Sequence, residues 1–149
     1  EKSFDGKTTN VKLFYNSIDS IDANEGAIIT SNDTIKQYEI ELKTQEGGMI
    51  KTHINTKEII MKAVTGGIID VSGSTQHQNT VISTGGVVKA ADLKSKNTEI
   101  IITTGGEAYV NTSESLDIKI RAGGDVFIYG KPIKITKNKM LGGRIKYMD

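Results

Sequence analysis

Six glycine pairs punctuate the chain: Gly47-Gly48, Gly66-Gly67, Gly85-Gly86, Gly105-Gly106, Gly123-Gly124 and Gly142-Gly143, at steps of 19, 19, 20, 18 and 19 residues. Single glycines at Gly26 and Gly6 extend the beat upstream with steps of 21 and 20. Self-similarity at a period near 20 residues signals stacked structural units, none of which can bury its apolar face alone. The same beat argues against helices, because interior glycine is costly there and no segment keeps a 3.6-residue period.

Each unit reads as two strands. After a glycine pair, alternate positions carry Ile50/Thr52, Ile69/Val71, Val88/Ala90, Ala108/Val110, Val126/Ile128 and Ile145/Tyr147, and a period of two places them on one face. Before the next pair, Ile40/Leu42/Thr44, Ile59/Met61/Ala63, Thr80/Ile82, Thr98/Ile100/Ile102 and Leu116/Ile118/Ile120 form a second such face. The polar stretch between them, such as Ser72 to Asn79, reads as a turn or loop. Thr65, Thr84 and Thr104 precede three successive pairs, and glycine's access to positive φ suits a sharp corner there.

These units predict an all-β fold: a single parallel β-helix, right-handed favoured, with rungs of about 19 residues and glycine-pair corners. Seven to eight rungs at the usual strand spacing of about 4.8 Å make a rod on the order of 35 Å long. An antiparallel sandwich is the alternative; it explains alternation but not the fixed beat. The domain spans residues 1–149, with atypical capping rungs at about 1–45. There Phe4, Val11, Leu13, Phe14 and Tyr15 have strand character, and Ala27-Ile28-Ile29 echoes a unit start.

Stacking also aligns the outward residues. One column reads Lys51, Asp70, Lys89, Tyr109, Phe127 and Lys146. Its first three members form a charge ladder, and Tyr109 beside Phe127 is either a sugar-stacking platform or an aromatic ladder. Another column reads Met49, Ile68 and Val87, then Glu107, Asp125 and Arg144. Ile60, Val64, Val81 and Ile101 add outward apolar side chains. A contiguous apolar patch marks an interface, so Met49, Ile68, Val87, Tyr109 and Phe127 are the candidate interaction surface. Self-association, or coverage by the N-terminal third through Phe4, Phe14 and Tyr15, would satisfy the patch.

Composition narrows the chemistry. Nineteen basic and 18 acidic residues leave a net charge of +1, too little to steer nucleic acid. The segment from Lys131 to Asp149 carries six basic residues, but they interleave with strand residues and read as a solvated face. Cysteine is absent, which removes disulfides and thiolate chemistry. No apolar run reaches the roughly 18–20 residues of a membrane span. The chain opens on Glu1 without a signal peptide or initiator Met, as expected of a mature chain whose targeting segment has been removed.

Catalytic and metal sites are not expected, nor is a cofactor. His53 and His77 read as exposed loop residues without acidic partners at ligand spacing. Neither a calcium nonapeptide nor a phosphate loop follows the glycine pairs. A carbohydrate-active β-helix enzyme is the main alternative in function. It would need carboxylates on adjacent rungs, and Asp70, Asp92, Glu107, Asp117 and Asp125 are read as occupying different columns.

Several of these motifs together resemble one family. They are Val71-Ser72-Gly73, Ser83-Thr84-Gly85-Gly86-Val87, Thr104-Gly105-Gly106-Glu107-Ala108, and Arg121-Ala122-Gly123-Gly124-Asp125-Val126 with Tyr129-Gly130-Lys131-Pro132. From about Ile40 onward the chain resembles the putative auto-transporter adhesin head domain, or GIN domain, of Bacteroides-like bacteria. The resemblance implies a β-helical, extracytoplasmic module, periplasmic, outer-membrane-anchored or secreted, with an adhesive or surface-binding role. It carries over no ligand and no catalytic residues. We read the chain as a non-enzymatic binding or structural module, with a glycan or surface protein as the ligand to test. A self-assembling envelope scaffold is a further alternative, suggested by the apolar outer positions.

Overall fold

The structure, a computed structural model, describes residues 9–148; Phe4 and Gly6 lie outside the described residues. Ten strands follow in order: β1 (Ser20–Ala23), β2 (Ile28–Thr30), β3 (Ile35–Thr44), β4 (Met49–Val64), β5 (Ile68–Ser83), β6 (Val87–Thr104), β7 (Glu107–Ala122), β8 (Asp125–Tyr129), β9 (Lys134–Leu141) and β10 (Arg144–Tyr147). Every pairing is parallel, and each strand lies against the one roughly 19 residues later. The result is a β-solenoid of about 7 turns. The parallel ladders rule out the antiparallel sandwich.

The inward columns follow the alternation. Ile50, Ile69, Val88, Ala108 and Val126 stack on one wall, and each is fully buried. Leu42, Met61, Thr80, Ile100 and Ile118 stack on the other. At about 25 cal/mol per Å² these columns supply the main favourable free energy of the coil.

The polar stretches are not loops, which corrects the sequence reading. β4 and β5 each run 16 residues without a break. Fully extended, such a strand would reach about 50 Å, yet Ile68 returns to lie over Met49. Each strand therefore bends midway. Thr56, Thr75, Ser95 and Thr112 point inward at the bend and are buried. Their hydroxyls take up backbone carbonyls that bending would orphan: Thr75 Oγ1 donates to Lys57 O at 3.1 Å, and Ser95 Oγ to Asn97 O at 2.9 Å. Thr112 Oγ1 donates to Thr98 Oγ1 at 2.8 Å. Buried polar groups that are satisfied in this way carry little penalty.

Just before the bend, Gly73 (φ +114°) replaces a core side chain between Ile54 and Leu93. The uneven steps of 20 and 18 residues arise near here: register shifts fall between Asp70 and Gly73, and between Ala90 and Lys94. Insertions and deletions are absorbed at this edge, and the glycine corners keep their length.

The two glycines of a corner have different jobs. In the early corners the chain turns through two left-handed residues: Glu46 and Gly47, Thr65 and Gly66, Thr84 and Gly85. The amide of the next glycine closes the turn, as in Gly86 N to Ser83 O at 3.1 Å. Paired positive φ with this bond defines a type I′ turn. The first glycine thus serves φ, and a Cβ there would meet open space. The second serves proximity: a Cβ on Gly86 would sit 2.0 Å from Ala63 O in the rung below. At Gly26 the second place is Ala27, exposed, with no described strand beneath it. From Gly105 onward both glycines have positive φ, so the corner changes form.

β1 and β2 are short, and Ile18 packs beneath the core, held by Gln37 through its Nε2 to Ile18 O at 2.7 Å. Phe14 is 91% exposed and Tyr15 44%, so neither folds over the outer apolar positions.

Candidate functional site

Both expected outer columns form. Lys51, Asp70, Lys89, Tyr109, Phe127 and Lys146 are register partners in succession. The Tyr109 and Phe127 rings lie 4.6 Å apart and 13° from parallel, so each covers one face of the other. Lys146 Nζ sits 5.7 Å from the Phe127 ring centre. In this geometry the pair is an aromatic ladder with its edges toward solvent.

Met49, Ile68 and Val87 also align, and Ile28 extends their column downward. The three are half-buried by one another, while Ile28 is 71% exposed. Ile60, Val64, Val81 and Ile101 face outward too. They fall in separate columns, except that Val81 pairs with Ile101.

Among the proposed acids, Glu107 and Asp125 are direct register partners, as the column of Met49 predicts, so the reading of all five acids as lying in different columns fails for this pair. Asp117 pairs with Glu99 in the same manner. Neither pair is a free acid and base. Arg144 grips Asp125 through two bonds, Nε to Oδ1 at 2.9 Å and Nη2 to Oδ2 at 2.6 Å. Those bonds hold the Asp125 carboxyl below its ordinary range, against the opposing effect of burial. Glu107 accepts a hydrogen bond from Tyr109 Oη at 2.8 Å, which pushes the phenol up. Lys119 bridges Glu99 at 3.0 Å and Asp117 at 3.6 Å.

His53 and His77 are exposed but lie in β4 and β5 rather than in loops. His53 Nδ1 shares a hydrogen bond with Ser72 Oγ at 2.8 Å. Among the described residues no group of three or more His, Asp or Glu is placed to hold a metal ion. No described helix is long and apolar enough to cross a membrane.

Two open grooves lie elsewhere, on the two flanks of the bend. One groove of about 430 Å³ is lined by Glu58, His77, Asn79, Asn97, Glu99, Ser115 and Asp117. Ser115 Oγ donates to Asn97 Oδ1 at 2.6 Å, and Asp117 Oδ1 is buried without a protein partner. The other, about 560 Å³, is lined by Tyr38 with Asn55, Lys57, Ser74, Gln76 and Lys96. Tyr38 is 61% exposed, with Lys57 Nζ 5.4 Å from its ring centre. No described strand pairs beneath that part of β3. Sequence reasoning missed these grooves because the residues of each come from four separate rungs. The available signal was the density of Asn, Gln, Ser and His at outward places of 72–79.

Comparison with known proteins agrees with this architecture. A crystal structure of a putative adhesin from Bacteroides fragilis superposes with a TM-score of 0.82 at 16% identity, over 96% of this chain and 70% of that one. A putative lipid binding protein from Parabacteroides distasonis gives 0.80 at 24% identity, over 87% of this chain. The chain spans about half of that second protein, with 53% of it covered. At these identities the likeness concerns the fold. No curated protein sequence matches the chain. The family described as putative auto-transporter adhesin, head GIN domain, matches residues 1–132, and with most of its length so matched, the chain belongs to that family.

Proposed function

We propose that the chain is a non-enzymatic binding module that works outside the cytoplasm and takes a glycan on the outer flanks of its bend. The observation that carries this reading is the Tyr38 groove: an exposed ring beside amide and hydroxyl side chains on a rigid sheet. Sugars present apolar C–H faces and rings of hydroxyls, and that pairing of surfaces meets both needs. Membership of an adhesin head family supports a surface role. The partnered state of Glu99, Glu107, Asp117 and Asp125 supports a non-enzymatic one, since glycoside cleavage needs one acid kept protonated near neutral pH.

A glycan array probed with the protein, followed by titration of any hit, tests the reading. Tyr38→Ala should weaken binding about tenfold or more, equivalent to about 1.4 kcal/mol, and Asn55→Ala, in the same groove, should weaken it less. Full affinity in Tyr38→Ala, or cleavage of the hit with time, would overturn it.

The column of Ile28, Met49, Ile68 and Val87 favours a second reading, a side-by-side partner such as another copy. Light scattering of Met49→Lys/Ile68→Lys against the parent tests it: a parent dimer reduced to monomer is expected, and a monomeric parent refutes it.

A further inference from the structure

The last rung departs from the pattern at its inward positions. β9 lies on β7 with Ile118 against Lys137 and Ile120 against Lys139. Both isoleucines are buried members of core columns. The next members of those columns are therefore lysines. On the opposite wall the column of Val110 and Ile128 ends at Tyr147, which pairs with Ile128.

The side chains meet across the mouth of the coil. Lys137 Nζ donates to Tyr147 Oη at 2.8 Å and lies 4.6 Å from the ring centre. Lys139 Nζ donates to Gly143 O at 3.0 Å, at the corner joining β9 to β10. Long lysine stems can cover apolar surface while their ammonium groups stay in water. Any further rung laid on this one would bury two ammonium groups with no acid beneath them, which is strongly unfavourable.

We propose that Lys137, Lys139 and Tyr147 form a charged cap that closes this end of the coil and prevents a second copy from stacking on it end to end. Among the described residues no strand pairs with the upper edges of β9 and β10, whose backbone groups could template such stacking, and inward-pointing charge is an effective guard against it. The basic residues of this segment, read from sequence as one solvated face, thus divide into two sets. Lys134 stays on the outer surface, while Lys137 and Lys139 guard the core.

The test is the mass in solution of Lys137→Leu/Lys139→Val, measured by light scattering from low to high micromolar concentration. The double variant should at least double its mass with rising concentration and should melt no lower than the parent. A matched control, Lys134→Leu/Lys146→Val, adds equal apolar character at outward positions and should keep the parent's mass. Two results would overturn the cap: a double variant with the parent's mass throughout, or association of the control to the same degree. Loss of folding in the double variant would also count against it, because the cap reading assigns the lysines no role in holding the rung.

Discussion

Substituting one glycine of a corner at a time separates the two roles that a Gly-Gly pair combines. Gly85 has φ +74° and open space around its missing side chain, so Gly85→Ala pays mainly for the left-handed backbone. That cost is about 1–2 kcal/mol, and Thr84 beside it already tolerates φ 51°. Gly86→Ala meets a different obstacle: its Cβ would lie 2.0 Å from Ala63 O and 2.5 Å from Ala63 C. Relief requires the two rungs to part by more than about 1 Å, since nonbonded carbon contacts lie near 3.5 Å or beyond. The bonds from Val87 N to Gly67 O and from Gly66 N to Thr84 O, now 2.9 and 3.1 Å, hold these two rungs together there. Weakening two such bonds at about 0.5–1.5 kcal/mol each, on top of about 1–3 kcal/mol for overpacking, totals about 2–6 kcal/mol. Thermal and urea unfolding followed by circular dichroism would measure it. At about 2–4 °C per kcal/mol for a chain of this size, Gly86→Ala should lose about 4–24 °C and Gly85→Ala about 2–8 °C. Equal losses, or a larger loss for Gly85→Ala, would refute the assignment of proximity to the second glycine.

Other outcomes follow from single contacts. Leu93→Ala removes a fully buried side chain next to the space left by Gly73, and should cost about 2–5 kcal/mol by urea titration. Gln78→Leu/Thr80→Val replaces a buried amide whose Oε1 has no partner, in a column with Ile59, Thr98 and Leu116, together with the Thr80 hydroxyl that accepts from Gln78 Nε2 at 3.2 Å; it should raise the melting temperature, by about 1 kcal/mol in stability terms. Asp125→Asn loses the grip of Arg144. Because the folded Asp125 pKa is depressed, its contribution is present above the unfolded value of about 3.9 and is lost as pH falls through the lower folded value. The gap in melting temperature between parent and Asp125→Asn should therefore be widest near neutral pH and close below about pH 4; a gap independent of pH would refute the ion pair.

The repeat left a strong trace in the sequence because each rung repeats the same local problem. Alternation fixed which residues point inward, and the beat fixed which residues stack, so the column from Lys51 to Lys146 could be written down in order before any coordinates. A parallel in-register stack makes neighbours of residues one period apart, so the period alone supplied long-range contacts. Membership of the adhesin head family was legible for the same reason, in the corner motifs.

What the sequence did not disclose depends on the approach of one rung to another. Thr75 and Ser95 look like loop residues until a bend brings carbonyls to their hydroxyls. Gly85 and Gly86 look equivalent until the rung below is in place. Lys137 and Lys139 alternate like any solvated strand face, and only their register on Ile118 and Ile120 puts them over the core. Tyr38 and Gln76 are far apart in the chain and share a groove because successive bends superimpose. Period and alternation are properties of the chain and set the coil. Which glycine is indispensable, where the coil is sealed and where its surface is concave are set by distances between rungs, and those exist only once the rungs are stacked.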